Sequence, residues 1–294
     1  MPYDPQTQKL NISAGLASVS VAGTLVLIKL WALWATGALS IAASLADSAM
    51  DLLISAAGLA AILYAARPAD EDHAFGHTSV EDLASLGQAI FVAASGGAIL
   101  WAALARLFAP EAPQLADEGA GIAVMIGSAA LTAMLVLWQK RVAAKTGNKV
   151  VSADMLHYIG DLIPTLGAIL ALWLSARFDL ARADSVIAIL AALIMLRGAA
   201  KIFIASWHAL MDRAAPEAVV RSIAEIAEIW PGVRGFHDLR TRTAGAKIFV
   251  QLHIELDGAQ TLEAAHAIAK SLKRAILDAH PQADVIIHMD VWQS

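Results

Sequence analysis

The chain has 294 residues, of which 58% are hydrophobic and 16% charged, against roughly 25% charged in an ordinary soluble domain. That balance excludes a wholly soluble protein and leaves room for several membrane spans and one modest soluble domain. A net charge of −5 gives no sign of a nucleic-acid partner, and zero cysteines exclude disulfides and thiolate metal sites, so any metal must be held by His nitrogen and carboxylate oxygen.

Residues 1–10 are polar and lead into an apolar run that is too long for a signal-peptide core, so the first span is expected to be retained. Six stretches are long enough to cross a bilayer: 11–36, 39–66, 81–109, 117–144, 151–177 and 183–210. Only Gly37-Ala38 separates the first two, which predicts a tight helical hairpin, and Pro110 and Pro113 punctuate the link between the third and fourth. Trp31, Trp34, Trp101, Trp138, Trp173 and Trp207 fall toward span ends, where interfacial belts form. The link between the fourth and fifth spans carries Lys140, Arg141, Lys145 and Lys149, whereas the third-to-fourth link carries no basic residue. The basic link is expected on the cytoplasmic side, which with six spans puts both termini and the 67–80 link there too. Arg177 and Arg182 then lie outside and count against this orientation.

The transmembrane domain is expected over 1–211 and a cytoplasmic domain over 212–294, where charged residues become frequent and apolar runs shorten. Pro216 opens a helix of period Val219, Ile223, Ile226, Ile229, which Pro231-Gly232 ends. Lys247 to Leu256 alternates strictly, with Ile248, Val250, Leu252, Ile254 and Leu256 on one face and Gln251, His253 and Glu255 on the other, the pattern of a half-buried strand. With Phe236–Thr243 as its hairpin partner, a helix over 261–280 and a strand over 284–291, the order is α-β-β-α-β, a small α+β domain.

Chemistry concentrates inside the apolar runs. Asp47 and Asp51 lie four residues apart in the second span, on one helical face, and each charge at membrane depth costs at least ~2.5–3.5 kcal/mol on insertion scales. His157 and Asp161 repeat that spacing in the fifth span. Two carboxylates from one helix with an imidazole and a carboxylate from another make four N/O ligands, a set that suits tetrahedral Zn²⁺. Small residues around Ser48 and at Gly160 let the two helices approach. Three carboxylates and an imidazole at that depth cannot stay empty and ionised. Metal and protons compete for them, which predicts exchange of Zn²⁺ for H⁺. His157 is the natural proton carrier, with a carboxylate such as Asp51 sharing the task.

Asp70, His73 and His77 in the 67–80 link predict a second, weaker metal site near the cytoplasmic mouth. In the soluble domain His237, His253, His266, His288 and Asp290 predict a site for one or two metals, with His288 and Asp290 two apart on one strand face. His208 and His280 read as structural.

These motifs together resemble the cation diffusion facilitators, in particular their bacterial zinc/iron exporter branch, over nearly the whole chain. They are Asp47-x3-Asp51, His157-x3-Asp161, Asp70-x2-His73-Ala-Phe-Gly-His77, Leu210-Met-Asp212-Arg213-Ala-x-Pro216, His237-Asp-Leu-Arg-Thr-Arg242 and Asp284-Val-Ile-Ile-His288-x-Asp290. The resemblance implies six transmembrane helices followed by a ferredoxin-like, metallochaperone-like cytoplasmic domain. It implies a homodimer in the bacterial inner membrane and alternating access driven by H⁺ antiport. Asp47, Asp51, His157 and Asp161 would be the transport site, Asp70, His73 and His77 the loop site, and His237, His253, His266, His288 and Asp290 a two-metal site that steadies the cytoplasmic dimer with structural Zn²⁺. A His in the intramembrane set goes with Zn²⁺ and Cd²⁺ in this family, and an all-carboxylate set with Mn²⁺. The sequence departs at Ser79, where this branch often carries a Lys that pairs with the Asp matching Asp212, the candidate dimer contact beside the membrane.

The expected activity is proton-coupled export of Zn²⁺, with Fe²⁺, and less so Mn²⁺, as alternative cargo. Two readings of another class compete. An intramembrane metallohydrolase needs an open ligand position and a general base, but the chain has no His-Glu-x-x-His and four ligands would close the site. A metal sensor without transport leaves the two intramembrane pairs unexplained.

Overall fold

The structure is a computed structural model that describes residues 5–36, 39–108, 119–178 and 183–292. The Gly37-Ala38 turn, Pro110, Pro113 and Arg182 lie outside the described residues, as do the side chains of Trp173 and Arg177. Eleven elements are described. They are α1 (Pro5–Thr36), α2 (Leu39–Ala65), α3 (Ser79–Leu107), α4 (Gly119–Thr146), α5 (Lys149–Phe178), α6 (Ala183–Leu210), α7 (Glu217–Glu228), β1 (Gly235–Ala244), β2 (Lys247–Leu256), α8 (Leu262–Ala279) and β3 (Ala283–Val291). They fall into two compact units, residues 4–67 with 80–206, and residues 68–79 with 207–294.

The first unit is helical. Among the described residues, four helices are long and apolar enough to cross a membrane: Pro5–Trp31, Asp47–Ala65, Ser79–Leu107 and Ser185–Leu210. The protein is therefore an integral membrane protein. Helix α1 is described from Pro5, so helical structure extends N-terminal to the expected span edge at residue 11. Helices α1, α2, α4 and α5 share cores around Ala14, Ile62, Val142 and Val150 and around Leu135, Val136 and Tyr158. Helices α3 and α6 join through Val92, Leu156, Met195 and Ala199. Trp31, Trp34 and Trp101 are 68%, 84% and 78% exposed, as rings directed at a lipid interface would be.

The α4–α5 corner shows how local sequence sets element ends. Gly147 takes a positive φ of 66° and its N–H donates to the Ala143 carbonyl, the left-handed stop that glycine tolerates best. Asn148 then caps α5 by accepting from the Val151 N–H at 3.0 Å, while its amide donates to Glu81 at 2.7 Å. Lys149 pairs with the buried Asp82 at 2.6 Å.

The second unit contains the expected α-β-β-α-β order. The sheet runs β1-β2-β3, antiparallel between β1 and β2 and parallel between β2 and β3. Ile248, Val250, Leu252, Ile254 and Leu256 are buried against Ile223 and Ala227 of α7 and Ala269, Leu272 and Ile276 of α8. Thr261 caps α8 by accepting from the Ala264 N–H at 3.2 Å. Ile229 departs from the predicted stripe: it is the residue just beyond α7 and is 81% exposed, while Trp230 packs on the core in its place. The 68–79 segment packs here as well. Phe75 meets Phe249 edge-to-face with centroids 5.6 Å apart, and Lys247 Nζ donates to the Phe75 carbonyl at 3.2 Å.

Candidate metal centres

Four clusters of three His/Asp side chains bring one ligand atom each within 4.8 Å of one another among the described residues. The intramembrane cluster is Asp51, His157 and Asp161. His157 Nε2 lies 3.0 Å from Asp51 Oδ1 on α2 and 3.8 Å from Asp161 Oδ2 one turn further along α5. The Phe91 ring of α3 closes on His157 at 5.7 Å between centroids and Tyr158 at 5.3 Å. Gly160 faces the Met195 thioether of α6 closely enough that a Cβ there would displace the end of that side chain. This small residue thus faces α6, and not α2 as expected from the sequence.

A cavity of about 520 Å³ opens on this cluster and is also lined by Asp47, Ser48, Lys29 and Thr132. The structure thus brings three of the four expected ligands together and leaves Asp47 on the cavity wall. Asp47 and Asp51 share a helical face, but only Asp51 reaches α5. Next to Asp47, Ser48 accepts a hydrogen bond from Lys29 Nζ of α1 at 2.7 Å.

One turn before His157 sits Asp154, which sequence reasoning passed over. It is 5% exposed. Ser18 of α1 donates to Oδ2, Gln139 of α4 donates to the same oxygen at 2.6 Å and Ser55 of α2 donates to Oδ1 at 3.2 Å. Tyr158 Oη in turn lies 2.9 Å from Ser55 Oγ. Four helices therefore meet on one carboxylate directly behind the cluster. Its i, i+3 spacing from His157 was the signal available in the sequence.

In the loop cluster Asp70 joins both imidazoles, His73 Nδ1 at 3.2 Å and His77 Nε2 at 3.2 Å. The His73 backbone N–H donates to Asp70 at 2.7 Å and holds its carboxyl below the ordinary carboxylate range. His77 is buried and the other two are exposed.

In the soluble domain register does the assembling. His237 pairs with His253 across the antiparallel ladder and His253 with His288 across the parallel one, so three imidazoles stand in a row over three strands. Asp290 gathers them: His253 Nδ1 at 2.9 Å, His237 Nε2 at 3.2 Å and His288 Nε2 at 3.2 Å. The hydrogen bond from His253 is the main cause that keeps Asp290 below the usual carboxylate range. Asp238 and Glu255 stand 3.8 Å from His237 and were not anticipated; Asp238 is presented by the β1 bulge, with a positive φ of 49°. His266 is not part of the row. It is exposed on α8, a helix that packs on the apolar face of β2, whereas His253 is on the other face. Three imidazoles around a carboxylate form an N/O donor set that fits Zn²⁺ or a similar divalent ion.

Asp212 adopts a positive φ of 56° and pairs with Arg242 within the same chain at 3.3 Å. The Arg242 guanidinium also lies 4.2 Å from the Phe249 ring centroid and 5.6 Å from that of Phe75. His280 Nε2 lies 3.0 Å from Ser222 Oγ, in keeping with a structural histidine.

Residues 15–211 match the family model described as the cation efflux transmembrane domain, and residues 215–291 match that of the cation efflux protein cytoplasmic domain. Cation-efflux pump FieF of Serratia proteamaculans is 39% identical over 98% of this chain and 95% of its own length. Cation-efflux pump FieF of Cronobacter sakazakii is 40% identical over 96% and 93%. The solved MamM-CTD 215-293 structure is 32% identical over 26% of this chain and 98% of its own, with a TM-score of 0.25.

Proposed function

The chain belongs to the cation efflux family, the cation diffusion facilitators, whose members are secondary transporters and not enzymes, and we propose that it exports divalent metal cations from the cytoplasm, Fe²⁺ as well as Zn²⁺, in exchange for protons. The observation that carries this reading is the Asp51–His157–Asp161 cluster at the wall of a cavity between apolar helices. Asp51 and Asp161 supply anionic oxygen and His157 a neutral nitrogen, and Asp47, on the wall of the same cavity, is assigned as the fourth ligand. The same groups take up protons after the metal leaves, because an ionised set at that depth is too costly to remain empty.

Zn²⁺, with Cd²⁺ beside it, was the first expectation for the cargo and Fe²⁺ the alternative. The relatives' name, cation-efflux pump, specifies no zinc and supports the wider cargo better. The ligand chemistry agrees, since imidazole with carboxylates suits both Zn²⁺ and Fe²⁺ and ranks them weakly. The loop cluster and the His237–His253–His288–Asp290 row are assigned to metals that stay bound and steady a cytoplasmic homodimer. His266 would join that row only from outside its own chain. Six spans with both termini cytoplasmic complete the arrangement.

The test is reconstitution into liposomes with a metal-sensitive dye and an imposed pH gradient. Saturable Zn²⁺ and anaerobic Fe²⁺ flux, each with proton counter-flow and each lost in Asp51→Ala, is the expected result. Flux indifferent to the pH gradient and without counter-flow overturns antiport. Zn²⁺ flux without Fe²⁺ flux overturns the wider cargo.

A further inference from the structure

We propose that Lys29 is a tethered counter-cation of the intramembrane site: its ammonium offsets one of the three carboxylates around the cavity, leaving a net charge of −2 that one divalent cation neutralises. The proposal rests on the transport-site reading above and adds to it the residue that sets the site's charge.

Lys29 is the one charged residue in the apolar stretch Leu25–Trp34 of α1. An ammonium there is expensive unless it snorkels to the headgroups or ends at a polar partner. It takes the second course. Nζ crosses to α2 and donates at 2.7 Å to Ser48 Oγ, a hydroxyl buried to 2% exposure. Ser48 follows Asp47 directly and precedes Asp51 by one turn. The Lys29 side chain therefore lines the same cavity as Asp47, Asp51, His157 and Asp161. The neutral imidazole adds nothing to the count, and Asp154 does not line the cavity and is held by its own three donors, so the three lining carboxylates and one ammonium give −2.

This charge has two consequences. A bound divalent cation leaves the loaded site neutral in a low-dielectric region, whereas without Lys29 the loaded site would keep one uncompensated negative charge. Lys29 also repels the metal, which loosens its hold and favours release, as a transporter requires. Removing the charge should therefore tighten cargo binding and slow turnover. Loss of a hydrogen bond alone would not do this.

The experiment measures initial Zn²⁺ uptake into proteoliposomes against Zn²⁺ concentration. Lys29→Gln keeps a hydrogen-bond donor but not the charge, and Lys29→Arg keeps both. The expected result is a KM about tenfold or more lower in Lys29→Gln, with kcat reduced too, and a near-normal KM in Lys29→Arg. An unchanged or raised KM in Lys29→Gln overturns the proposal. A second variant uses the absence of native cysteine. Lys29→Cys modified with an aminoethyl methanethiosulfonate regains a positive charge and should regain the wild-type KM; modified with the neutral methyl reagent it should not. Equal effects of the two reagents also overturn the proposal. Asp51→Ala in the same assay separates the two claims. Persistent flux there sinks the transport site itself, whereas lost flux with no Lys29 effect sinks only the counter-cation.

Discussion

Asp154 makes the sharpest demand on stability. In Asp154→Ala the donors from Ser18, Gln139 and Ser55 lose their shared acceptor in surroundings that leave the carboxylate 5% exposed. Each buried donor left unmet costs about 1–3 kcal/mol. Relief is available to part of the network, because Ser18 and Ser55 lie 3.2 Å apart and Ser55 lies 2.9 Å from the Tyr158 hydroxyl. Gln139 Nε2 keeps only a long contact of 3.3 Å to Ser18. The expected net cost is therefore about 2–4 kcal/mol, and with roughly 2–4 °C per kcal/mol for a chain of this size Tm falls by about 5–15 °C. Asp154→Asn should behave differently. Its volume is the same, and the Gln139 carboxamide can turn to offer Oε1, a buried oxygen without a hydrogen-bond partner, to the new amide. That variant should lose no more than about 1 kcal/mol. Tryptophan fluorescence of detergent-solubilised protein during thermal unfolding reports both. Equal losses for Ala and Asn would refute the hydrogen-bond account and show that the charge itself stabilises the bundle. No loss for Ala would show that the four helices do not depend on this carboxylate.

Three further outcomes follow from the geometry. Asp51→Asn keeps the size of the side chain that sits 3.0 Å from His157 but removes an anionic ligand, and metal flux in liposomes should fall at least on the order of a hundredfold. Gly160→Val forces a branched side chain into the Met195 thioether and should cost about 1–3 kcal/mol by thermal unfolding, with Met195→Ala in the same chain recovering most of it. Asp290 has its folded-state pKa depressed by the His253 hydrogen bond, so its contribution to stability is present above the unfolded carboxylate pKa and disappears as pH falls through the depressed value. Asp290→Asn should flatten that acid limb and abolish the rise in Tm that added Zn²⁺ gives the wild type.

The sequence revealed whatever depends on one element's own period. Lengths of apolar runs located the helices, strict alternation located β2 and exposed His253 on its polar face, and i, i+4 spacing found the two intramembrane pairs. What it could not reveal depends on which helix stands beside which. Asp47 and Asp51 are equivalent on a helical wheel, and only the placement of α5 against α2 selects Asp51. Asp154 draws donors from residues 18, 55 and 139, each on a different helix, and no local pattern announces such a meeting. Arg242 meets Asp212 across 30 residues, a pairing that the Ser79 position gives no hint of. His266 is separated from the row within one chain for a different reason: a helix and a strand present their side chains on different layers, which counting histidines in a segment ignores.

The clusters also differ in how their ligands are tied together, and the difference matches the roles proposed for them. His237, His253, His288 and Asp290 stand on one hydrogen-bonded sheet, where ladder register fixes the spacing between the three imidazoles. Their separation cannot change without breaking strand pairing, which suits a metal that stays. Asp51 and His157 stand on two helices with no backbone bond between them, and their 3.0 Å contact exists only while α2 and α5 keep their present distance. A shift of one helix past the other by a fraction of a turn would separate the ligands without breaking any hydrogen bond of either helix. A site that must take a cation on one side and lose it on the other needs that freedom. The rigid row and the divisible pair therefore use the same donor atoms for opposite ends, and the distinction lies in the backbone beneath them, not in the ligands themselves.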